Sequence, residues 1–239
     1  MSASAGSSAP TSLPEAVAAA RRLVLFGPSG SGKTELAVNL AKGYARAGFS
    51  VALADLDTVS PLFRSREAAR GLQAAAVRLV APQGELLQAD LPAVADLAAA
   101  FGADRALFDI GGGEAGARAL GSLRHRLEDA LVMFIINTRR PFTGDVGGIL
   151  RALAEVERAA RVKAGGFVAN TNLGLATTMA TVETGLAITT RAAALAGLPV
   201  LFTAVPAPLA AQAVAACLGT PVYGLERHML PPWERTDSM

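Results

Sequence analysis

Residues Gly27-Pro28-Ser29-Gly30-Ser31-Gly32-Lys33-Thr34 satisfy G-x-x-x-x-G-K-[ST] at every required position, and their flanks restrict what the chain can fold into. Before them runs Arg22-Leu23-Val24-Leu25-Phe26, short and apolar like a strand; after them Glu35 to Lys42 space their apolar residues as a helix does. Strand, glycine loop and helix, in that order, make a phosphate-binding loop out of a short pattern. A glycine-rich turn carrying a surface lysine is the bland alternative, and it has no need of the two flanking elements.

The residue types follow from the ligand. A polyphosphate needs many donors converging on one place, and backbone N–H groups turn inward only where no Cβ blocks them, hence Gly27, Gly30 and Gly32 with Pro28, Ser29 and Ser31 between. The helix starting near Lys33 adds its unpaired N–H groups and the positive end of its dipole. Lys33 is expected to bridge the β- and γ-phosphates, and Thr34 to ligate the Mg²⁺ that travels with the nucleotide. Glu35, next on the helix, completes the expected nucleotide-binding set. A nucleoside triphosphate is therefore the predicted ligand.

Apolar runs alternate with helix-like segments along the rest of the chain. Strands are expected at 49–54, 77–80, 105–108, 130–136, 166–169 and 200–203, with helices from Ser65, at 91–101, 144–163, 178–196 and 209–218. Strands apolar on both faces and separated by helices describe a parallel sheet covered on each side. The expected fold is α/β: a three-layer sandwich with a mostly parallel sheet of about seven strands and helices on both faces. Residues 1–20 read as a disordered or loosely attached lead, 21–222 as the nucleotide-binding domain and 223–239 as a C-terminal tail.

Composition narrows the classes. Twenty-two Lys+Arg against 20 Asp+Glu leave a net charge of only +2, so nucleic acid is not indicated as a partner. Cys217 is the single cysteine, which excludes an internal disulfide, and His125 and His228 lack partners at metal-ligand spacing. The longest apolar run, 130–136, is too short for a membrane span, and residues 1–14 lack the features of a secretory signal. A cytoplasmic protein is expected.

In open parallel sheets ligands bind beyond the carboxyl ends of the strands. Three groups lie there: Asp55-Leu56-Asp57, Asp109-Ile110-Gly111-Gly112-Gly113 and Asn170-Thr171-Asn172. Asp109 is placed to hold Mg²⁺, and Gly112 beside it to let backbone approach the γ-phosphate. Asp55 and Asp57 are candidates for metal binding and for orienting the attacking water. Helix capping by Asp109, and a solvated turn for the other two, are the structural alternatives.

Together these motifs, from about Arg21 to Leu218, resemble the MinD/ParA-type P-loop ATPases. The resemblance implies ATP as ligand, Mg²⁺ held by Thr34, Asp57 and Asp109, and catalysis by Lys33, Asp57 and Asp109, with Asp57 preferred for the water. It also implies adenine contact by Asn170 and by the segment Val205-Pro206-Ala207, with Pro206 against the base. A protein partner and a homodimer are further expectations of the resemblance. One departure stands out: that family usually carries a lysine at the second loop position, reaching across a dimer, and here the residue is Pro28. A transition-state cation then has to come from elsewhere, with Arg64, Arg66, Arg139 and Arg140 as candidates. Three functions fit: an ATPase coupled to a partner, a small-molecule or polynucleotide kinase, and a slow nucleotide-sensing adaptor or GTPase. The guanine-reading Asn/Thr-Lys-x-Asp pattern is not met by Asn170-Thr171-Asn172-Leu173, which favours adenine.

Overall fold

The computed structural model describes residues 12–57, 71–80, 94–216 and 218–229. Among them, β1 (Arg22–Phe26), β2 (Val51–Leu56), β3 (Val77–Val80), β4 (Arg105–Ile110), β5 (Leu131–Ile136), β6 (Gly166–Ala169), β7 (Val200–Pro206) and β8 (Val222–Leu225) form one sheet. The spatial order is β3-β2-β4-β1-β5-β6-β7-β8, and every neighbouring pair is parallel. The chain winds outward to β3, returns through β4, then crosses β1 and winds the other way from β5. β1 therefore stands at the reversal of winding, beyond whose strand ends sheets of this kind bind their ligands.

Period-two geometry sends alternate side chains to opposite faces, and both faces are buried. In β1, Val24 and Phe26 join one core cluster while Leu23 and Leu25 join the other. In β5, Val132, Phe134 and Ile136 take the first side, Met133 and Ile135 the second. The first cluster is closed by the helices Val94–Phe101, Gly113–Leu123, Val146–Ala160 and Met179–Ala196, the second by α1 (Glu15–Ala19) and α2 (Lys33–Arg46). This is the three-layer arrangement the alternating pattern implied.

Local chemistry sets several helix ends. The Asp145 carboxylate accepts from the Gly148 N–H at 2.7 Å and caps Val146–Ala160, so the helix starts two residues later than expected. Thr178 caps Met179–Ala196 by accepting from the Thr181 N–H, and Gly197 closes it in a left-handed conformation. The helix expected over 209–218 is shorter, a 3₁₀ turn at Ala207–Leu209 leading into Ala210–Ala215.

Two features differ from the sequence expectation. Among the described residues the sheet has eight strands, in keeping with the expected number of about seven, but Val222–Leu225 pairs with β7 and carries the fold across the expected boundary at 222/223. Its glycine and half-exposed edge position give it no strong strand pattern. The lead is not loose to residue 20: Val17 is fully buried in α1, and the Tyr44 hydroxyl donates to the Val17 and Ala20 carbonyls. The start of the helix expected from Ser65, with Arg64 and Arg66, lies outside the described residues, as do Cys217 and the tail segment 230–234, while residues 71–74 are helical.

Candidate functional site

The loop between β1 and α2 has the backbone its sequence demands. Gly27 (φ 145°), Gly30 (φ 74°) and Gly32 (φ 88°) all occupy the positive-φ region. A Cβ on Gly27 would lie 2.5 Å from the Ile135 carbonyl oxygen, and one on Gly32 would lie 2.4 Å from Asn170 Nδ2, so both positions exclude side chains. Lys33 is buried and folds back over the loop, its Nζ donating to the Gly27 and Pro28 carbonyls at 3.0 Å each. An ammonium ringed by loop carbonyls is poised for an anion entering the same concavity.

The carboxylates arrive from neighbouring strands. Asp109 of β4 is in register with Leu25 of β1 on one side and Asp55 of β2 on the other. Asp109 Oδ2 accepts from the Thr34 hydroxyl at 2.6 Å, joining two of the three expected metal-binding residues. Asp55 Oδ1 accepts from the Asp57 N–H at 3.0 Å, which turns the chain at the end of β2. Gly111 passes so close to Asp57 that a Cβ would lie 2.8 Å from its Oδ1, and one on Gly112 would lie 2.8 Å from the Ser29 nitrogen. The expected Asp57, Asp109, Gly112 and Thr34 thus meet around the loop.

The loops after β5 and β6 close the other side. Arg140 Nε donates to the Gly30 carbonyl at 3.0 Å, and Asn170 Nδ2 donates to the Ser31 carbonyl at 2.7 Å. Of the candidate arginines, Arg140 therefore touches the phosphate loop. Asn170 is deeply buried against the loop, and one N–H of its amide bonds to loop backbone. Asn137 and Thr138, whose hydroxyl meets that of the expected Thr171 at 3.2 Å, were not singled out from sequence. Asn137 Oδ1 accepts from the Arg139 and Asn172 N–H groups, and its Nδ2 donates to the Asn172 carbonyl, tying the two loops together. The only sequence signal for it is its place just beyond an apolar strand.

Glu35 turns to the segment 226–229. Its carboxylate accepts from the His228 and Met229 N–H groups at 2.6 and 3.0 Å, while Asn39 exchanges hydrogen bonds with the Glu226 backbone at 2.8 Å each. Residues 226–229 therefore lie along α2, and the Glu35 side chain is an anchor for them. Burial raises its carboxyl above the ordinary value, opposed by the two N–H donors. Burial also lowers the His228 imidazole, helped by the Lys42 ammonium 3.3 Å away. Pro206 ends β7 beside Leu225 of β8.

The donor set fits a polyphosphate with its divalent cation. The Ser31 hydroxyl is buried in the loop with no hydrogen-bond partner among the described residues, Lys33 supplies the charge, and the Thr34 and Asp109 oxygens converge. Among the described residues no helix is long and apolar enough to cross a membrane.

The family model of the CobQ/CobB/MinD/ParA nucleotide binding domain matches residues 23–202, more than half of the chain. Comparison with curated proteins finds no match. Among solved structures, the cell division protein FtsY from Thermotoga maritima superposes with a TM-score of 0.54 at 21% identity over 83% of this chain. The signal recognition particle 54 kDa protein from Aeropyrum pernix, in complex with GDP, superposes with a TM-score of 0.52 at 21% identity over 76% of it. This chain spans 65% of the first protein and 40% of the second. At such identities the likeness is one of fold.

Proposed function

Because the chain belongs to the CobQ/CobB/MinD/ParA nucleotide binding domain family, we propose that it is a magnesium-dependent ATPase whose nucleotide state is read by a protein partner. The observation that carries this reading is the 2.6 Å contact between Thr34 and Asp109 beside the folded-back Lys33. A hydroxyl at the head of the loop helix and a strand-end carboxylate are the pair that holds a nucleotide's cation in such enzymes.

Bound magnesium would neutralise charge on the phosphate oxygens, with Thr34 and Asp109 as its protein ligands and Asp57 alongside them. Residues Gly27 to Thr34 would hold the phosphates through backbone N–H groups, and Lys33 would turn from the loop carbonyls to the terminal phosphates. Asp57, just beyond β2, would orient the water that attacks the γ-phosphorus. Asp55 fixes the turn that presents Asp57. Catalysis here is positioning and charge neutralisation, since phosphoryl transfer asks little covalent chemistry of the protein.

Adenine is favoured because the segment after β6 lacks the Lys and Asp of the guanine-reading pattern. In this reading the protein works in the cytoplasm, where nucleoside triphosphate is supplied. Pro28 removes the loop cation on which a phosphate-sharing homodimer would depend, so the partner in this reading is a different protein.

Single-turnover release of labelled phosphate tests the proposal. Steady release from ATP, stopped by Lys33→Ala, is expected. A Lys33→Ala variant that hydrolyses at the parent rate would sink the site assignment. Label passing to a small acceptor would make the protein a kinase, tight binding without turnover would make it an adaptor, and preference for GTP would reverse the base assignment.

A further inference from the structure

We propose that Arg140 and Asn170 are positioning residues of the phosphate loop, braces that hold the Gly30 and Ser31 carbonyls outward and thereby aim the N–H groups of Ser31 and Gly32 at the anion. The inference rests on the nucleotide-binding reading and assigns Asn170 a role other than base contact.

The physical link is the trans peptide plane. Within it the C=O of one residue and the N–H of the next point in opposite directions, and no peptide bond among the described residues is cis. Arg140 Nε takes the Gly30 carbonyl at 3.0 Å, so the Ser31 N–H is directed to the other side, where it reaches back across the loop to the Pro28 carbonyl at 3.3 Å. That carbonyl also holds the Lys33 ammonium, so the Ser31 N–H and Lys33 Nζ converge on one point. Asn170 Nδ2 takes the Ser31 carbonyl at 2.7 Å, and the Gly32 N–H is directed opposite in turn. Two consecutive peptide planes are oriented by side chains from outside the loop.

The braces are themselves held. The Arg140 N–H donates to the Asn137 carbonyl, and the Thr143 hydroxyl donates to the same carbonyl at 2.8 Å, fixing the turn that carries Arg140. Asn172 Nδ2 donates to the Asn170 carbonyl at 2.9 Å, and Asn137 binds Asn172 through both ends of its amide. The loops after β5 and β6 thus reach the phosphate loop as one unit. Flexible N–H groups must be ordered when an anion binds; groups aimed beforehand have lost that freedom already.

Calorimetric binding of inorganic pyrophosphate, ATP and adenosine to the full chain tests the braces. Arg140→Ala and Asn170→Ala should each weaken pyrophosphate roughly tenfold, the effect of losing one charge-assisted or buried hydrogen bond, and leave adenosine unchanged. Arg140→Gln is the decisive variant, because its amide nitrogen sits at the same point along the side chain as Arg Nε but carries no charge. It should retain most of the parent affinity; affinity as weak as that of Arg140→Ala would make Arg140 a charge and overturn its brace role. Arg140 is exposed, so these variants should fold as the parent does. For the buried Asn170, the melting temperature without ligand separates lost stability from lost affinity. Weakened adenosine with unchanged pyrophosphate in Asn170→Ala would restore the base-contact role and overturn the brace. Unchanged pyrophosphate in both alanine variants would overturn the braces alone. Failure of the parent to bind either phosphate ligand would overturn the nucleotide reading and the braces with it.

Discussion

The two ends of the sheet are held by different chemistry. At the carboxyl end, around the phosphate loop, buried amides, a hydroxyl and a carboxylate bond to backbone: Asn137, Asn170, Thr143 and Asp55 each fix a particular peptide group. At the amino end the partners are exposed or half-buried. Arg22 pairs with Asp129 at 2.5 Å, Arg22 and Arg126 both lie over the Phe101 ring, and Arg105 lies over Phe49. Long charged side chains at a wet surface contribute little net stability and tolerate movement. Buried side-chain bonds to backbone cost more to lose and fix direction as well as distance. Precision is therefore concentrated at the end where the proposed nucleotide site lies.

Replacing residues at each end can break or sharpen this contrast. The largest effect is expected for Asp109→Asn, which keeps the shape beside Thr34 but removes the charge; ATP hydrolysis should fall by about a hundredfold or more in a steady-state phosphate assay. Asn137→Ala should lower unfolding free energy by about 2 kcal/mol in urea titration, since it removes the three bonds by which a buried amide joins two loops. Asp129→Ala at the opposite end should change it by no more than about 0.5 kcal/mol in the same titration. Equal losses at the two positions would erase the distinction between the ends.

A smaller effect concerns His228, half-buried against Lys42 on α2. Its folded pKa is lowered from 6.5, so its contribution to stability is present above pH 6.5 and is lost as pH falls through the folded value. Melting temperatures of the parent and of His228→Gln should run parallel above that pH. Below it the parent should lose ground relative to the variant, and parallel curves throughout would deny the burial of the imidazole.

Much of this was legible in the chain. Gly27, Gly32 and Lys33 follow from ligand chemistry through backbone sterics, which is local and needs no tertiary contact. Strand-end residues such as Asp109 could be read because a parallel sheet puts all its functional loops at one end. The strand Val222–Leu225 escaped because an edge strand with a glycine has no hydrophobic period to detect. Asn137 escaped because its role is to join two loops that are neighbours only through the pairing of β5 with β6. Glu35 was expected beside the nucleotide by its place in sequence; its carboxylate instead meets the backbone of His228 and Met229, far away along the chain.

The sequence by itself determined the layer architecture, the phosphate loop and the carboxylates around it. Hydrophobic period and glycine sterics act over a few residues and leave their mark in composition. Tertiary structure alone decided that Arg140 and Asn170 meet consecutive carbonyls of that loop, and that the segment 226–229 lies along α2. Such contacts depend on strand order and register, which bring together groups more than a hundred residues apart and leave no local pattern.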